Sequence, residues 1–127
     1  MINDELFPKV TGNKGSVYPV YFSPIVGSGE RICIIGASII EEMNFAVAPA
    51  MSEDMATLIF GGTKIINIVN EALEAHIGKH GTLNDFISPI NGIHIGYCDV
   101  IKGVFRDHEM ALKTVFRNHA MFYREAK

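Results

Sequence analysis

Five histidines are the residues whose types and spacing come closest to chemistry in this chain. His76 and His80 stand four apart in a segment with helical periodicity, so they share one helix face, the arrangement in which two imidazoles reach one divalent metal. His94 or Cys98, two strand residues pointing to a common face, would complete such a site. A zinc-like ion held by His76, His80 and His94 would lower the pKa of a bound water, with Glu74 or Asp99 as base, and the product is a metal-dependent hydrolase or nuclease. Against it stand Ile77, where zinc hydrolases carry a Glu after the first His, and Gly78, which weakens the helix between the two ligands. An isolated imidazole on an apolar face is more often a core residue held by one hydrogen bond. His108 and His119 invite that plainer reading, since both project toward the apolar arc of the last predicted helix.

Nucleophilic and phosphate-binding patterns are weaker. Cys33 lies within Ile32-Cys33-Ile34-Ile35, apolar surroundings that raise a thiol pKa and leave it inert. Gly61-Gly62-Thr63-Lys64 has the composition of a phosphate loop in the wrong order, with Thr before Lys and a helix rather than a strand ahead of the glycines, so it reads as a bend with a capping Thr.

The charge is uneven. The formal net charge is -3, but residues 1–101 carry 5 basic and 11 acidic side chains, while Lys102, Arg106, Lys113, Arg117, Arg124 and Lys127 face only three acids beyond that point. Arg106, Lys113, Arg117 and Arg124 form a stripe opposite the apolar arc of the last helix, flanked by Met110 and Met121. This stripe and its methionine flank are the candidate interaction surface, suited to an acidic protein surface or a second copy. Pairing of Glu109 with Lys113 at i,i+4 is the plain alternative. An acidic chain is a poor candidate for nucleic acid.

The elements that must position these groups follow from period and punctuation. Residues 1–16, with Pro8, Gly12, Asn13 and Gly15, read as an extended arm, and residues 17–127 as one domain, the size at which one core suffices. Val17 to Val26 is a strand placed at an edge by Pro19 and Pro24. It turns through Gly27-Ser28-Gly29-Glu30 into Arg31 to Ile40, an apolar run expected at the sheet centre and covered on both faces. Pro24 to Gly36 resembles the first hairpin of several small bacterial domains, a likeness that implies a hairpin and no function. Glu41 to Asn44 breaks the run before a third strand, Phe45 to Ala50. Ser52 caps a short helix to Phe60. A second helix runs from Thr63 to about Lys79 and closes at Gly81, its stripe being Ile65, Ile68, Val69, Ala72, Leu73 and Ile77. Thr82 to Asp85 has capping-box form and is expected to open a helical turn. Ile93 to Val100 alternates as a fourth strand, and Asp107 caps a last helix to about Tyr123.

The order predicts an α+β fold: a small, mostly antiparallel sheet of about four strands packed against about three helices lying on one face. No apolar run reaches the roughly 18 residues of a membrane span, and the acidic start is unlike a secretory signal, so a cytoplasmic location without membrane partners is expected. Cys33 and Cys98, unpaired in apolar segments, agree with a reducing compartment. The function expected is a non-enzymatic interaction or regulatory domain that forms a homodimer and needs no cofactor. The metal-dependent enzyme is the alternative, and binding of an apolar small ligand between sheet and helices is a third reading.

Overall fold

The computed structural model describes residues 12–23 and 30–120. It is an α+β fold, in which strands β1 (Asn13–Phe22), β2 (Ile32–Ile40) and β3 (Phe45–Pro49) precede helices α1 (Glu53–Phe60) and α2 (Lys64–His80). Strand β4 (Ile93–Ile95), a 3₁₀ turn (Tyr97–Asp99), strand β5 (Ile101–Phe105) and helix α3 (His108–His119) complete the order. All five strands form one antiparallel sheet in the order β3-β2-β1, with β4 and β5 both paired to the far side of β1.

The sheet has helices on both faces, where the sequence order suggested one. On the first face Val20, Ile34, Ile35 and Ala37 pack beneath Ala56 of α1 and Ile66, Val69, Leu73 and Ile77 of α2. On the second, Val17, Tyr21, Cys33, Ile40 and Phe105 pack beneath Ala111, Leu112, Val115 and Phe116 of α3. Two apolar faces explain why β2 is an almost unbroken apolar run, as expected for a doubly covered strand. The register shifts between Val20 and Tyr21, leaving Ile34 as an extra residue on β2, so Ile34 and Ile35 join the same cluster despite being consecutive.

Three features of the strands differ from expectation. Residues Asn13 to Ser16 belong to β1 rather than to an arm, because β5 pairs with Asn13–Val17. Gly15 fits there for want of a side chain, since a Cβ would lie 2.8 Å from Ile40 Cγ1. Second, Pro19 sits in the central strand and not at an edge. Its carbonyl accepts from Gly96 N at 2.9 Å, so the missing N–H faces the side where β4 has ended and β5 has not begun. Third, the strand expected at Ile93 to Val100 stops at Ile95: Gly96 leaves the ladder, Tyr97–Asp99 coils, and β5 begins only at Ile101, beyond the expected strand. A Cβ on Gly96 would lie 2.3 Å from Tyr21 Cε2, so the chain bends onto the tyrosine ring where only glycine fits.

Helix signals carry over better. Ser52 accepts from Met55 N and Asp107 from Met110 N, and Gly61 and Gly81 close α1 and α2 in the left-handed conformation. Thr63 does not cap α2; its hydroxyl oxygen instead accepts from Asn67 Nδ2 at 3.4 Å. The buried face of α2 is Ile66, Val69, Leu73 and Ile77, with Ile65, Ile68 and Ala72 only half-buried. Thr82 to Asp85 forms a turn, Asn84 N donating to Thr82 Oγ1 at 3.1 Å, with Asp85 at φ 62°. Helix α3 ends at His119, where Ala120 is extended, and Tyr123 lies outside the described residues. The Gly27-Ser28-Gly29 turn, Met121 and Arg124 lie outside the described residues, though the β1–β2 pairing expected of that hairpin is present. No described helix is long and apolar enough to cross a membrane.

Candidate functional site

The structure does not assemble the three-histidine set. His76 and His80 adjoin on α2, their ring centroids 4.6 Å apart. His76 Nε2 is 2.9 Å from the carbonyl of Asn84, its ring packs edge-on against Phe86, and His80 is exposed. His94 is in register with Tyr21 and packs on its ring at 6.0 Å. Tyr21 belongs to the α3 face of the sheet whereas α2 covers the other, so the sheet stands between His94 and the helical pair. Among the described residues no group of three or more His, Cys, Asp or Glu is placed to hold a metal ion.

The densest polar cluster forms instead around Tyr21. Strand β1 turns the Tyr21 ring into the α3-side core, where it is 2% exposed. Its hydroxyl donates to Asp99 Oδ2 at 2.9 Å, and the same oxygen accepts from Arg31 Nη2 at 2.8 Å. The Arg31 guanidinium lies over the ring, 4.1 Å from its centroid, while His119 of α3 meets it edge-on at 6.4 Å. Burial, followed by the bond to Asp99, holds the Tyr21 phenol well above its ordinary pKa. The Asp99 carboxyl is held below its usual range, chiefly by the Tyr21 hydroxyl and then by the charge of Arg31. Near neutrality the phenol therefore stays protonated and the carboxylate ionised. That suits a fixed anchor and not a proton shuttle, whose groups need pKa values near the working pH. The cluster ties the start of β2 and the 3₁₀ turn to the centre of β1.

The other polar groups are similarly engaged. Fully buried Ser38 on β2 is 2.8 Å from His108 Nδ1, and His108 Nε2 is 2.7 Å from the carbonyl of Met43. His108 is thus a half-buried histidine bonded at both nitrogens, which links α3 to the sheet. Cys33 is buried, and burial pushes its thiol up to about 11; Cys98 is exposed on the 3₁₀ turn, and both are unpaired. On α3, Lys113 pairs with Glu109 at 3.2 Å and Arg106 with Asp107 at 3.4 Å, while Arg117 is also engaged. Met110, 42% exposed, is the apolar member of the expected interaction surface that the structure leaves open to solvent.

A further hollow lies apart from these polar groups. It is an open groove of about 570 Å³ over the end of the sheet, lined by Lys14 and Ser16 of β1, Ile39 and Ile40 of β2, and Lys102 and Val104 of β5. A second hollow of about 420 Å³ shares Ile39 and Ile40 and continues toward Gly78 and Gly81 of α2. The groove exists because β1 and β5 extend beyond the cover of α2. Local periodicity predicts no strand over residues 101–105, so this surface has no signal in the sequence.

No protein-family model, no curated protein and no solved structure matches the chain.

Proposed function

We propose that this chain is a non-enzymatic interaction domain of the cytoplasm that works by self-association. The observation carrying this reading is a contrast. Two polar clusters, Tyr21–Asp99–Arg31 and Ser38–His108–Met43, close on themselves. The groove of about 570 Å³, by contrast, is open and mainly apolar, over an uncovered stretch of sheet. A catalytic site needs a nucleophile or base in reach of a group that activates it; a docking domain needs exposed surface that is better covered than left in water. Val104 and Met110 supply such surface. The two unpaired thiols fit a reducing compartment.

A second copy is the partner assigned, since two-fold dimers are the commonest closed assembly. The test is sedimentation velocity or light scattering across a wide concentration range. The expected result is a mass that rises toward that of a dimer with concentration. A monomer at every concentration overturns the proposal.

A further inference from the structure

We infer that two copies join through β5, edge to edge and antiparallel, with the two-fold axis at Gly103. This deepens the self-association reading and rests on it. Among the described residues β5 pairs with β1 alone, so its other edge presents backbone N–H and C=O groups without a strand partner, the template for sheet extension. Its five residues, Ile101-Lys102-Gly103-Val104-Phe105, are self-complementary in one register. Centring on Gly103 sets Lys102 opposite Val104 of the second copy and Ile101 opposite Phe105, while the two glycines meet on the axis. A slip that centres the pair on Lys102 opposes two like charges, and a slip to Val104 sets Lys102 opposite Arg106. Like charges directly opposite are destabilising, so charge selects the Gly103 register.

The faces agree with this register. Val104 lies opposite Lys14 within the chain and is 38% exposed. In the joined sheet it would be bracketed by the aliphatic stems of Lys14 and of Lys102 from the second copy, and the two grooves would run together across the joint. On the opposite face, Ile101 and Phe105 already pack toward the α3 core, and their cross-strand pairing would make an apolar row. A five-residue strand pair alone buries less than the roughly 1,200 Å² of a stable interface, so the association is of the weak, reversible class.

Cross-linking tests the register directly. Directly opposed residues of an antiparallel pair have Cα atoms about 4.5 to 5.5 Å apart, within the span a disulfide bridges. A Cβ at Gly103 meets nothing closer than Phe105 Cζ at 3.6 Å, so Gly103→Cys is compatible with the fold. In a Cys98→Ser background, Gly103→Cys should form a covalent dimer under mild oxidation, while Lys102→Cys, two steps out of register with its own counterpart, should cross-link far less. Val104→Glu should tighten the dimer and Val104→Lys loosen it, each by about twofold to thirtyfold in Kd for two symmetric charge pairs. Circular dichroism checks that each variant is folded. A dimer by light scattering that neither cross-links at Gly103→Cys nor distinguishes the two Val104 variants overturns the β5 joint and leaves self-association standing. A monomer throughout overturns both.

Discussion

The bond between Ser38 and His108 offers the sharpest test of how α3 is held on the sheet. Met43 O is a carbonyl and can only accept, so His108 Nε2 carries a proton and donates to it across 2.7 Å. In the neutral ring Nδ1 is then an acceptor, and the Ser38 hydroxyl donates to it across 2.8 Å. Ser38 is 0% exposed and is the one polar residue buried to that degree among the described residues. Ser38→Ala removes a hydrogen bond and leaves Nδ1 facing a core with no donor. The combined cost is about 1–3 kcal/mol, more than the net value of an ordinary hydrogen bond because an acceptor is left desolvated. His108→Ala strands the Ser38 hydroxyl and the Met43 carbonyl at once, and also removes the ring's packing. Once either partner is gone, the second substitution has less left to remove, so the two should be coupled by about 0.5–3 kcal/mol in a double-mutant cycle. The assay is urea unfolding followed by circular dichroism, with the midpoint shift read at an unchanged m-value. Additive single effects, or a Ser38→Ala variant as stable as the parent, would refute the reasoning.

Other expectations concern the Tyr21 cluster, the cysteines and the glycines. Asp99 has its folded pKa lowered, so its contribution to stability is complete above the unfolded value of about 3.9 and is lost as pH falls through the folded value. The stability gap between the parent and Asp99→Asn should therefore close in acid; a gap that stays constant from neutral pH into strong acid contradicts the assignment. Tyr21 has its folded pKa raised, so its contribution holds below about pH 10 and is lost above it as the unfolded chain ionises. Tyr21→Phe should consequently flatten the alkaline limb of the stability profile. Thiol titration of the native protein should modify Cys98 and spare Cys33, whose thiol is buried and shifted to about 11, with both reacting in denaturant. Two glycine-to-alanine changes should have opposite signs in thermal unfolding. Gly96→Ala drives a Cβ against the buried Tyr21 ring at 2.3 Å and should destabilise by about 1–3 kcal/mol. Gly78→Ala, within α2 and 4.0 Å from its nearest neighbour, should stabilise by about 0.5–1 kcal/mol.

What the sequence made legible was local, and the reason is physical. Ser52, Asp107, Gly61 and Gly81 end helices by chemistry acting within three or four residues, and each stands where expected. The apolar run of β2 announced a doubly covered strand because burial on both faces erases alternation. The early end of β4 was not legible, because Gly96 lies against the ring of Tyr21, distant in sequence and brought close by β1. The Tyr21–Asp99 pair spans 78 residues and Ser38–His108 spans 70. Nothing in the spacing near Tyr21, Arg31 or Ser38 signals these partners. The histidines show the same limit. Helical spacing put His76 and His80 together, but whether His94 could join them depended on which face of the sheet α2 covers. That depends on where the chain crosses from β3 into the helices, and on α3 taking the opposite face. Strand alternation could offer His94 as a third ligand without saying which face of the sheet it shared with α2. With the helices divided between the faces, His94 lies with Tyr21 on the α3 side of the sheet, away from His76 and His80.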